Sequence, residues 1–368
     1  MPELDPVIPP KKTHRLGPFF LEKGPKRLAF GNVTAMSKTK VAVIGAGSWG
    51  TAVASLAAAN VATMLWARDP VLAASISCDR ENSRYLSGFR LSDQLCGTSD
   101  MGEALDDADV VVMGVPSHGF RDVLADVAPH LRPGVPIISL TKGVEQGSML
   151  RMTEIVVEVC PAHPVGVLSG PNLAKEVMLG HPAGTLLAFA NEAIAADLQA
   201  VFTGPNFLVY TSNDVVGAEI AGALKNVLAI AAGMSDGLAF GDNSKATLIA
   251  RGLAELGRLG GALGGRMMTF GGLAGLGDLV ATCTSQHSRN RFVGEQLGRG
   301  RALADVIAEM NMVAEGVKTA RPVLDLATKH GIDMPIVEQV VRVIEDGVSA
   351  AEVVRTLMSR KVSVEHVR

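Results

Sequence analysis

Aromatic residues and excess charge are both scarce in this chain of 368 residues. Phe, Trp and Tyr together make up 4% of the sequence, so few side chains are available to stack on nucleobases. The 34 Lys and Arg residues are balanced by 37 Asp and Glu residues, and the resulting formal charge of −3 gives no general attraction for polyanions. We therefore expect no nucleic-acid partner.

Cysteine and long apolar runs are also rare. The cysteines form no Cys-x-x-Cys pair, which argues against a disulfide framework and a structural zinc site; they are Cys78, Cys96, Cys160 and Cys283. No His-Glu-x-x-His motif or carboxylate cluster predicts a metal site. Apolar runs such as residues 110–115 are much shorter than the roughly 20 residues that span a bilayer. These absences predict a cytoplasmic protein without a membrane span.

The first 37 residues differ in composition from the rest of the chain. They contain six of the 18 prolines, several Lys and Arg residues, and no apolar core of the kind that a secretory signal has. We expect residues 1–37 to be a poorly ordered tail. The alternative is a mis-assigned start, with Met36 as the true first residue.

Residues 38–214 alternate short apolar runs with helical patterns. The runs at 41–44, 63–66, 109–115, 136–140 and 165–169 are typical of strands buried on both faces of a sheet. Helices are predicted between them, for example at 52–59 and 121–131. This alternation predicts an α/β fold, a Rossmann-type doubly wound parallel sheet that binds a dinucleotide.

Residues 215–368 lack strand patterns. Helical patterns cover 215–234, 243–263, 301–310 and 317–330, and a glycine-rich break lies at 271–277. We expect this part to be an all-helical domain that carries the substrate site, so that the chain has two domains, at 38–214 and 215–368.

A glycine-rich motif follows the first predicted strand. Gly45 allows a tight turn, Gly47 lets the backbone approach a pyrophosphate, and Gly50 permits close packing of helix on strand. The N-terminus of the helix that follows offers N–H groups and partial positive charge to phosphates. The motif at this junction predicts a dinucleotide site; packing glycines without a ligand are the alternative.

The end of the second predicted strand bears on the choice of cofactor. Arg68 can pair with a 2′-phosphate or stack on adenine, whereas Asp69 can accept a hydrogen bond from a free 2′-hydroxyl. We expect NAD or NADP as cofactor, with a weak preference for NADPH.

Lys225 is a candidate general base. The segment 215–234 contains only two charged residues, Glu219 and Lys225, so its helix is expected to be buried. Small residues such as Gly222 share the face of Lys225 and leave room for a groove. Burial lowers the pKa of a lysine towards the neutral range that a general base needs. The alternative is a lysine that extends to the surface.

Three further polar sites accompany Lys225. Asp278 is the single acid within a glycine-rich turn, and residues 288–291 (SRNR) offer hydroxyl, guanidinium and amide donors that suit a small phosphate. Lys142 follows a strand at the sheet edge where ligands bind. Residues 288–291 are alternatively a polar helix start, and we interpret His118 as a loop residue near the cofactor.

An ordered series of motifs covers about residues 38 to 363. It comprises residues 45–51 (GAGSWGT), Asn82 with 85–88 (YLSG), 115–117 (VPS), 141–143 (TKG), 169–177 (SGPNLAKEV), 223–226 (ALKN), 274–279 (AGLGDL), 288–290 (SRN) and 314–316 (AEG). The series resembles that of the bacterial NAD(P)-dependent sn-glycerol-3-phosphate dehydrogenases. The resemblance implies reversible hydride transfer between sn-glycerol 3-phosphate and dihydroxyacetone phosphate, with a role in phospholipid synthesis.

The resemblance also implies roles for residues at matching positions. Lys225 is implied to be the proton acceptor, supported by Lys142 and Asp278. The implied substrate contacts are Lys142, Gly170, Asn172, Lys225, Asp278, Ser288, Arg289 and Asn290. The implied cofactor contacts, besides Gly45, Gly47 and Gly50, are Ser48, Trp49, Arg68, Lys142, Ala174, Arg289, Val313 and Glu315.

Two positions depart from the family pattern: Asn172 stands in place of a Ser or Thr, and Ser87 in place of a Pro. Two other functions compete with this interpretation. One is a related dehydrogenase of the same plan that acts on 3-hydroxyacyl thioesters or sugar acids, and the other is a non-catalytic NAD(P)-sensing module. We also expect a homodimer, because an apolar helical half often has surface to share.

Overall fold

The computed structural model describes residues 39–310 and 314–360. The predicted tail at 1–37 therefore lies outside the described residues, as does Val313. Strands occur in the first part of the chain at β1 (Lys40–Ile44), β2 (Ala62–Trp66), β3 (Leu95–Thr98), β4 (Val110–Met113), β5 (Ile137–Ser139), β6 (Val165–Ser169), β7 (Ala183–Phe189) and β8 (Phe207–Ser212).

These strands form one sheet with the order β3-β2-β1-β4-β5-β6-β7-β8. The first six follow the strand order of a Rossmann fold and pair in parallel, so the predicted fold class is confirmed. The sheet departs from the all-parallel prediction at one place, where β7 runs antiparallel to β6. The final pair, β7 and β8, is parallel again.

Helices cover both faces of the sheet. They are α1 (Ser48–Ala58), α2 (Pro70–Ala74), α3 (Met101–Leu105), α4 (Phe120–Val127), α5 (Met152–Val159), α6 (Ala174–Met178) and α7 (Glu192–Phe202). Alternate residues of β1 enter two separate apolar clusters: Val41 and Val43 pack with α1 and α7, whereas Ala42 and Ile44 pack with α4 and α5. Burial on both faces explains why β1 and β4 appear as continuous apolar runs in the sequence.

The sequence did not reveal β3, β7 and β8. β3 has four residues and includes a glycine, β7 begins with Ala-Gly, and β8 is an edge strand whose side chains alternate between buried and exposed. Helix α1 begins four residues earlier than predicted, and α4 ends at Val127 because Pro129 in the next turn cannot donate to a continuing helix.

The rest of the described chain is helical, as predicted. It comprises α8 (Val215–Gly237), α9 (Asp242–Ala262), α10 (Met267–Phe270), α11 (Asp278–Thr284), α12 (Arg289–Gly298), α13 (Leu303–Glu309), α14 (Glu315–Lys329), α15 (Pro335–Glu345) and α16 (Ala350–Met358). The expected break at 271–277 is partly helical, because residues Leu273–Gly277 form a π turn that leads directly into α11. Asp278 therefore starts a helix instead of lying in a turn.

Helix α8 is the core of the helical part. It is the one helix in the described residues that is long and apolar enough to cross a membrane, and 89% of its most apolar stretch is buried inside the protein. Close packing against α12 depends on small residues, since a Cβ added at Gly233 would lie 1.9 Å from the carbonyl oxygen of Arg291. The apolarity of α8 is therefore that of a core helix, with other helices packed around it.

Candidate active site

The glycine-rich motif forms the turn between β1 and α1. Gly45 has a φ of +115°, which L side chains rarely adopt, and a Cβ at Gly50 would lie 2.0 Å from the oxygen of Gly45. By contrast, a Cβ at Gly47 would meet no atom within 4 Å. Gly47 is the N-cap of α1 and supplies no side-chain hydrogen bond to the first turn, so the space beside the start of α1 at Gly47 is open. This arrangement fits a pyrophosphate at the helix N-terminus.

The two residues after Gly47 face in different directions. The hydroxyl of Ser48 donates to the carbonyl of Tyr85 at 2.7 Å, which ties the start of α1 to the segment around Tyr85. Trp49 is half-buried, and its ring lies 6.4 Å from the ring of Phe207. The Trp49 ring thus packs into the core, so any contact with a dinucleotide comes from its backbone or its exposed edge.

The end of β2 carries Arg68 and Asp69. Arg68 is exposed, whereas Asp69 caps α2 by accepting from the N–H of Val71 at 2.9 Å. His118 lies in a short 3-10 turn after β4, Ser117–Gly119, where the sequence predicted a loop, and its position near the cofactor stays a prediction. Its pKa is lowered first by burial and then by the positive charges of Lys318 and Arg68, so these two basic side chains lie close enough to His118 to affect its charge.

Lys225, Asp278 and Lys142 meet although they are far apart in the sequence. The Nζ of Lys225 lies 2.5 Å from Oδ1 of Asp278, and the Nζ of Lys142 lies 2.6 Å from Oδ2 of the same carboxylate. Lys225 is 7% exposed and Asp278 is 1% exposed, so the interpretation of Lys225 as a surface lysine is wrong. One buried carboxylate therefore holds two ammonium groups in a fixed arrangement.

The elements that carry these residues explain why they meet. Lys225 lies midway along α8, Asp278 opens α11, and Lys142 follows β5 at the carboxyl edge of the sheet. The Lys142 Nζ also donates to the carbonyl of Gly170 after β6, at 3.3 Å. A Cβ at Gly222 would lie 3.3 Å from Cγ of Lys142, so a small residue one turn before Lys225 makes room for the second lysine.

Burial controls the proton affinity of Lys225. Desolvation lowers its pKa to about 8, an effect that the negative charge of Asp278 opposes and the positive charge of Lys142 strengthens. A lysine with this pKa is present in both protonation states near neutral pH, as general acid–base catalysis requires.

Thr282 completes the environment of Lys225, and the sequence did not single it out. Its hydroxyl donates to the carbonyl of Asp278 at 2.7 Å and accepts from the Nζ of Lys225 at 2.7 Å. The available signal was the i, i+4 spacing from Asp278, which places both side chains on one face of a helix. That signal was hidden by the expectation that Asp278 lies in a turn.

Asn226 links the lysines to α12 and α14. Its Nδ2 donates to the carbonyl of Lys142 at 3.4 Å, and its Oδ1 accepts from Nδ2 of Asn290 at 2.9 Å. The Oδ1 of Asn290 in turn accepts from the N–H of Gly316 at 2.9 Å. Asn290, a predicted substrate contact, is therefore also a buried connector between three elements.

The remaining predicted substrate residues have partners within the protein. Ser288 is the N-cap of α12 and accepts from the N–H of Arg291 at 3.2 Å, so this segment is a helix start as the alternative interpretation proposed. Asn172 bonds to the carbonyl of Gly184 at 3.1 Å and to the hydroxyl of Thr185 at 2.8 Å, both on β7. Their contacts with substrate stay predictions.

Arg289 and Glu315 lie at helix starts that flank the lysines. Arg289 is exposed at the first position of α12. Burial raises the pKa of Glu315, and the positive charges of Arg289, Lys142 and Lys225 oppose that rise, so the four groups share one electrostatic environment. Ala174 is the first residue of α6 and is half-buried. In the described residues no group of three or more His, Cys, Asp or Glu side chains is placed to hold a metal ion.

Comparison with known proteins gives a consistent result. The model of the NAD-dependent glycerol-3-phosphate dehydrogenase N-terminus matches residues 40–195, and that of the C-terminus matches residues 214–355. The sequence is 52% identical over 328 residues to a glycerol-3-phosphate dehydrogenase of Sphingopyxis alaskensis whose name specifies NAD(P)+, covering 89% of this chain and 98% of the relative. An enzyme of the same name from Mycobacterium tuberculosis is 52% identical over 321 residues, with coverage of 87% and 94%.

Solved structures agree with the sequence relatives. The crystal structure of a glycerol-3-phosphate dehydrogenase from Coxiella burnetii superposes with a TM-score of 0.84 at 37% identity, covering 88% of this chain and 99% of that one. Both parts of the chain, the dinucleotide fold and the helical part, therefore fall within one family. The chain belongs to the NAD-dependent glycerol-3-phosphate dehydrogenase family.

Proposed function

We propose that this protein is an NAD(P)-dependent oxidoreductase that interconverts sn-glycerol 3-phosphate and dihydroxyacetone phosphate and supplies glycerol 3-phosphate for phospholipid synthesis. The observation that carries the proposal is the buried Lys225, held 2.5 Å from Asp278 beside Lys142. The glycine-rich turn and the start of α1 would hold the dinucleotide, and the nicotinamide supplies or accepts the hydride when it is bound.

Lys225 handles the proton of the reaction. In oxidation, its neutral amine takes the proton of the C2 hydroxyl. In reduction, its ammonium group polarises the ketone and then delivers the proton. The pKa of about 8 lets one residue do both near neutral pH.

Asp278 and Lys142 position and tune this base. Asp278 fixes the Nζ of Lys225 from one side, and Thr282 accepts a hydrogen bond from it at 2.7 Å. Lys142 contributes a second positive charge, which favours the alkoxide-like oxygen that develops at C2. The oxygen at C2 thus meets a proton donor and a nearby cation in a site shielded from water.

A separate group of residues binds the phosphate ester. Arg289, at the N-terminus of α12, and its neighbours Ser288 and Asn290 supply guanidinium, hydroxyl and amide donors to the phosphate. Gly170 and Asn172 line the carboxyl edge of the sheet on the other side. Binding of the phosphate at a distance from C2 orients the reacting carbon, so its binding energy contributes to turnover.

Replacement of Lys225 tests the proposal. Lys225→Ala is expected to lower turnover by about 10²–10⁴-fold, the usual contribution of a general acid–base, while NADPH binding is retained. The measurement is the loss of NADH or NADPH absorbance when dihydroxyacetone phosphate is added. Lys329→Ala, which alters an exposed lysine at the end of α14, is the matched control and should leave turnover unchanged.

The same assay separates the competing functions. No consumption of NADH or NADPH with dihydroxyacetone phosphate, together with retained dinucleotide binding, would favour the sensing module. Turnover of 3-hydroxyacyl thioesters or sugar acids in place of the triose phosphate would favour the related dehydrogenases. Near-normal turnover by Lys225→Ala would show that another residue is the base.

The proposal includes the organisation of the protein. Residues 38–214 bind the dinucleotide, and residues 215–368 supply Lys225, Asp278 and the phosphate site. The enzyme acts in the cytoplasm as a homodimer. Sedimentation of the purified protein at micromolar concentration tests the dimer, and a monomer mass would rule it out.

A further inference from the structure

The acid that could select NADH is already engaged within the protein. In Rossmann folds, a carboxylate at the end of the second strand accepts hydrogen bonds from the ribose hydroxyls. Asp69 occupies that place, but its Oδ1 accepts from the N–H of Val71 at 2.9 Å and its Oδ2 pairs with Nη2 of Arg84 at 2.8 Å. Both oxygens of Asp69 therefore have partners, and its charge is balanced by Arg84.

The position of Arg84 is fixed by the glycine-rich turn. Asn82, two residues earlier, is fully buried and donates to the carbonyl of Ala46 at 2.8 Å and to the hydroxyl of Thr51 at 2.7 Å. Its Oδ1 accepts from the N–H of Tyr85 at 3.0 Å. The backbone on both sides of Arg84 is thus held against the loop that would bind the pyrophosphate.

The Arg84 side chain itself is accessible to a ligand. It is 56% exposed, and its guanidinium carbon lies 6.0 Å from the centre of the Tyr85 ring. Arg68, which is also exposed, lies next to Asp69 in the sequence. With Asp69 balanced by Arg84, the charge of Arg68 leaves the end of β2 net positive. Lys318 adds a further positive charge nearby, since it lowers the pKa of His118 together with Arg68.

We propose that Arg84 is a specificity-determining residue that, with Arg68, selects a cofactor bearing a 2′-phosphate over one with a free 2′-hydroxyl. A guanidinium donates bidentately to phosphate oxygens, and two such groups suit a dianion. Arg84 acts in two ways, because it attracts the phosphate and also withholds Asp69 from the hydroxyl that NADH offers. This inference rests on the proposed function and specifies its cofactor.

Arg84→Ala tests both effects. The kcat/KM with NADPH is expected to fall about tenfold or more, as loss of a hydrogen bond to a charged group predicts. The kcat/KM with NADH should stay the same or rise, because Asp69 becomes free to accept from the ribose. Arg68→Ala should also lower kcat/KM with NADPH, but it should not raise kcat/KM with NADH.

A binding measurement gives a readout that does not depend on turnover. Titration calorimetry with adenosine 2′,5′-bisphosphate and with 5′-AMP reports the contribution of the 2′-phosphate alone. Arg84→Ala should lower the affinity for adenosine 2′,5′-bisphosphate about tenfold and leave the affinity for 5′-AMP unchanged. If the enzyme turns over no triose phosphate but this difference is observed, the proposed function fails and the role of Arg84 stands.

Arg90→Ala is the matched control. Arg90 lies in the same loop region, is 77% exposed and pairs with Asp93 at 3.2 Å. Its loss should therefore leave kcat/KM unchanged with both NADPH and NADH. If Arg84→Ala lowers kcat/KM with NADPH and with NADH equally, Arg84 only stabilises the loop, and the inference is overturned. The inference is likewise overturned if Arg84→Ala changes kcat/KM with neither cofactor.

Discussion

At the scale of single residues, one carboxylate of the candidate active site contacts two lysines. Asp278 is 1% exposed and contacts both Lys225 and Lys142 at hydrogen-bond distance. A buried lysine alone would lose its proton too readily to act as an acid, and Asp278 limits that loss by stabilising the ammonium form. The pKa of Lys225, the proposed base, therefore depends on both of its charged neighbours.

The pH profile of Asp278→Asn tests this dependence. Oxidation needs the neutral amine of Lys225, so the wild-type kcat/KM should rise with pH through about 8. Loss of the negative charge removes an effect that raises the pKa of Lys225, so the inflection of kcat/KM in the variant should move to lower pH, with a reduced maximum. The measurement is kcat/KM for oxidation of sn-glycerol 3-phosphate across the pH range, because this ratio reports the pKa values of the free enzyme.

Asp236→Asn is a suitable control for that experiment. Asp236 also contacts two cations, Lys245 and Arg291, each at 2.7 Å, but neither is Lys225. Replacement of Asp236 should leave the inflection of the pH profile at the wild-type pH. An unchanged inflection in Asp278→Asn would mean that Asp278 does not tune the base.

At the scale of elements, glycines set the distance between α8 and α12. Gly233→Ala should destabilise the fold by about 1–3 kcal/mol, the typical cost of overpacking, because its Cβ would lie 1.9 Å from the oxygen of Arg291. Urea unfolding measures the free energy of unfolding.

Gly261→Ala on α9 is the comparison, because a Cβ there would meet no atom within 4 Å. This change should stabilise the protein by about 0.5–1 kcal/mol, since Ala has a higher helix propensity than Gly. Effects of the same sign at both sites would contradict the packing argument.

At the scale of the whole molecule, a buried ion pair joins the sheet to the helical part. Glu219 on α8 accepts from Nη1 of Arg151 at 2.7 Å and from the N–H of Thr153 at 2.8 Å, both at the start of α5. Burial raises the pKa of Glu219, and Arg151 and Thr153 oppose that rise. Glu219 lies six residues before Lys225 on the same helix, so this contact helps to position α8, and Lys225 with it, relative to α5.

Glu219→Ala is expected to destabilise the protein by about 3–5 kcal/mol, because it leaves buried donors and a cation without their partner. Chemical unfolding followed by circular dichroism measures the loss. Glu345→Ala provides the comparison, since its pair with Arg321 is 37% and 45% exposed and should contribute less than about 1 kcal/mol. Equal losses in the two variants would show that Glu219 contributes no more than a surface charge.

The sequence by itself determined the fold class and the identity of the central polar residues. Continuous apolar strands and a glycine-rich turn are local patterns, so residue spacing found them. A single lysine within a small-residue helix is also a local pattern, which made Lys225 a candidate but left a surface lysine as the alternative. Strands β7 and β8 were not predicted, because β7 begins with Ala-Gly and β8 is an edge strand that lacks a continuous apolar run. The π turn before Asp278 was not predicted either, because its glycines are typical of a loop, and the role of Thr282 was missed with it.

Only the tertiary structure decided how these residues act together. Lys142 and Asp278 are separated by 136 positions, and no local pattern states that one carboxylate contacts both lysines. The engagement of Asp69 by Arg84 is equally invisible in the sequence, where Asp69 appears free to bind a ribose. Hydrogen bonds and charges act through space, so pKa values and cofactor selectivity follow from the packing of elements that the chain itself keeps far apart.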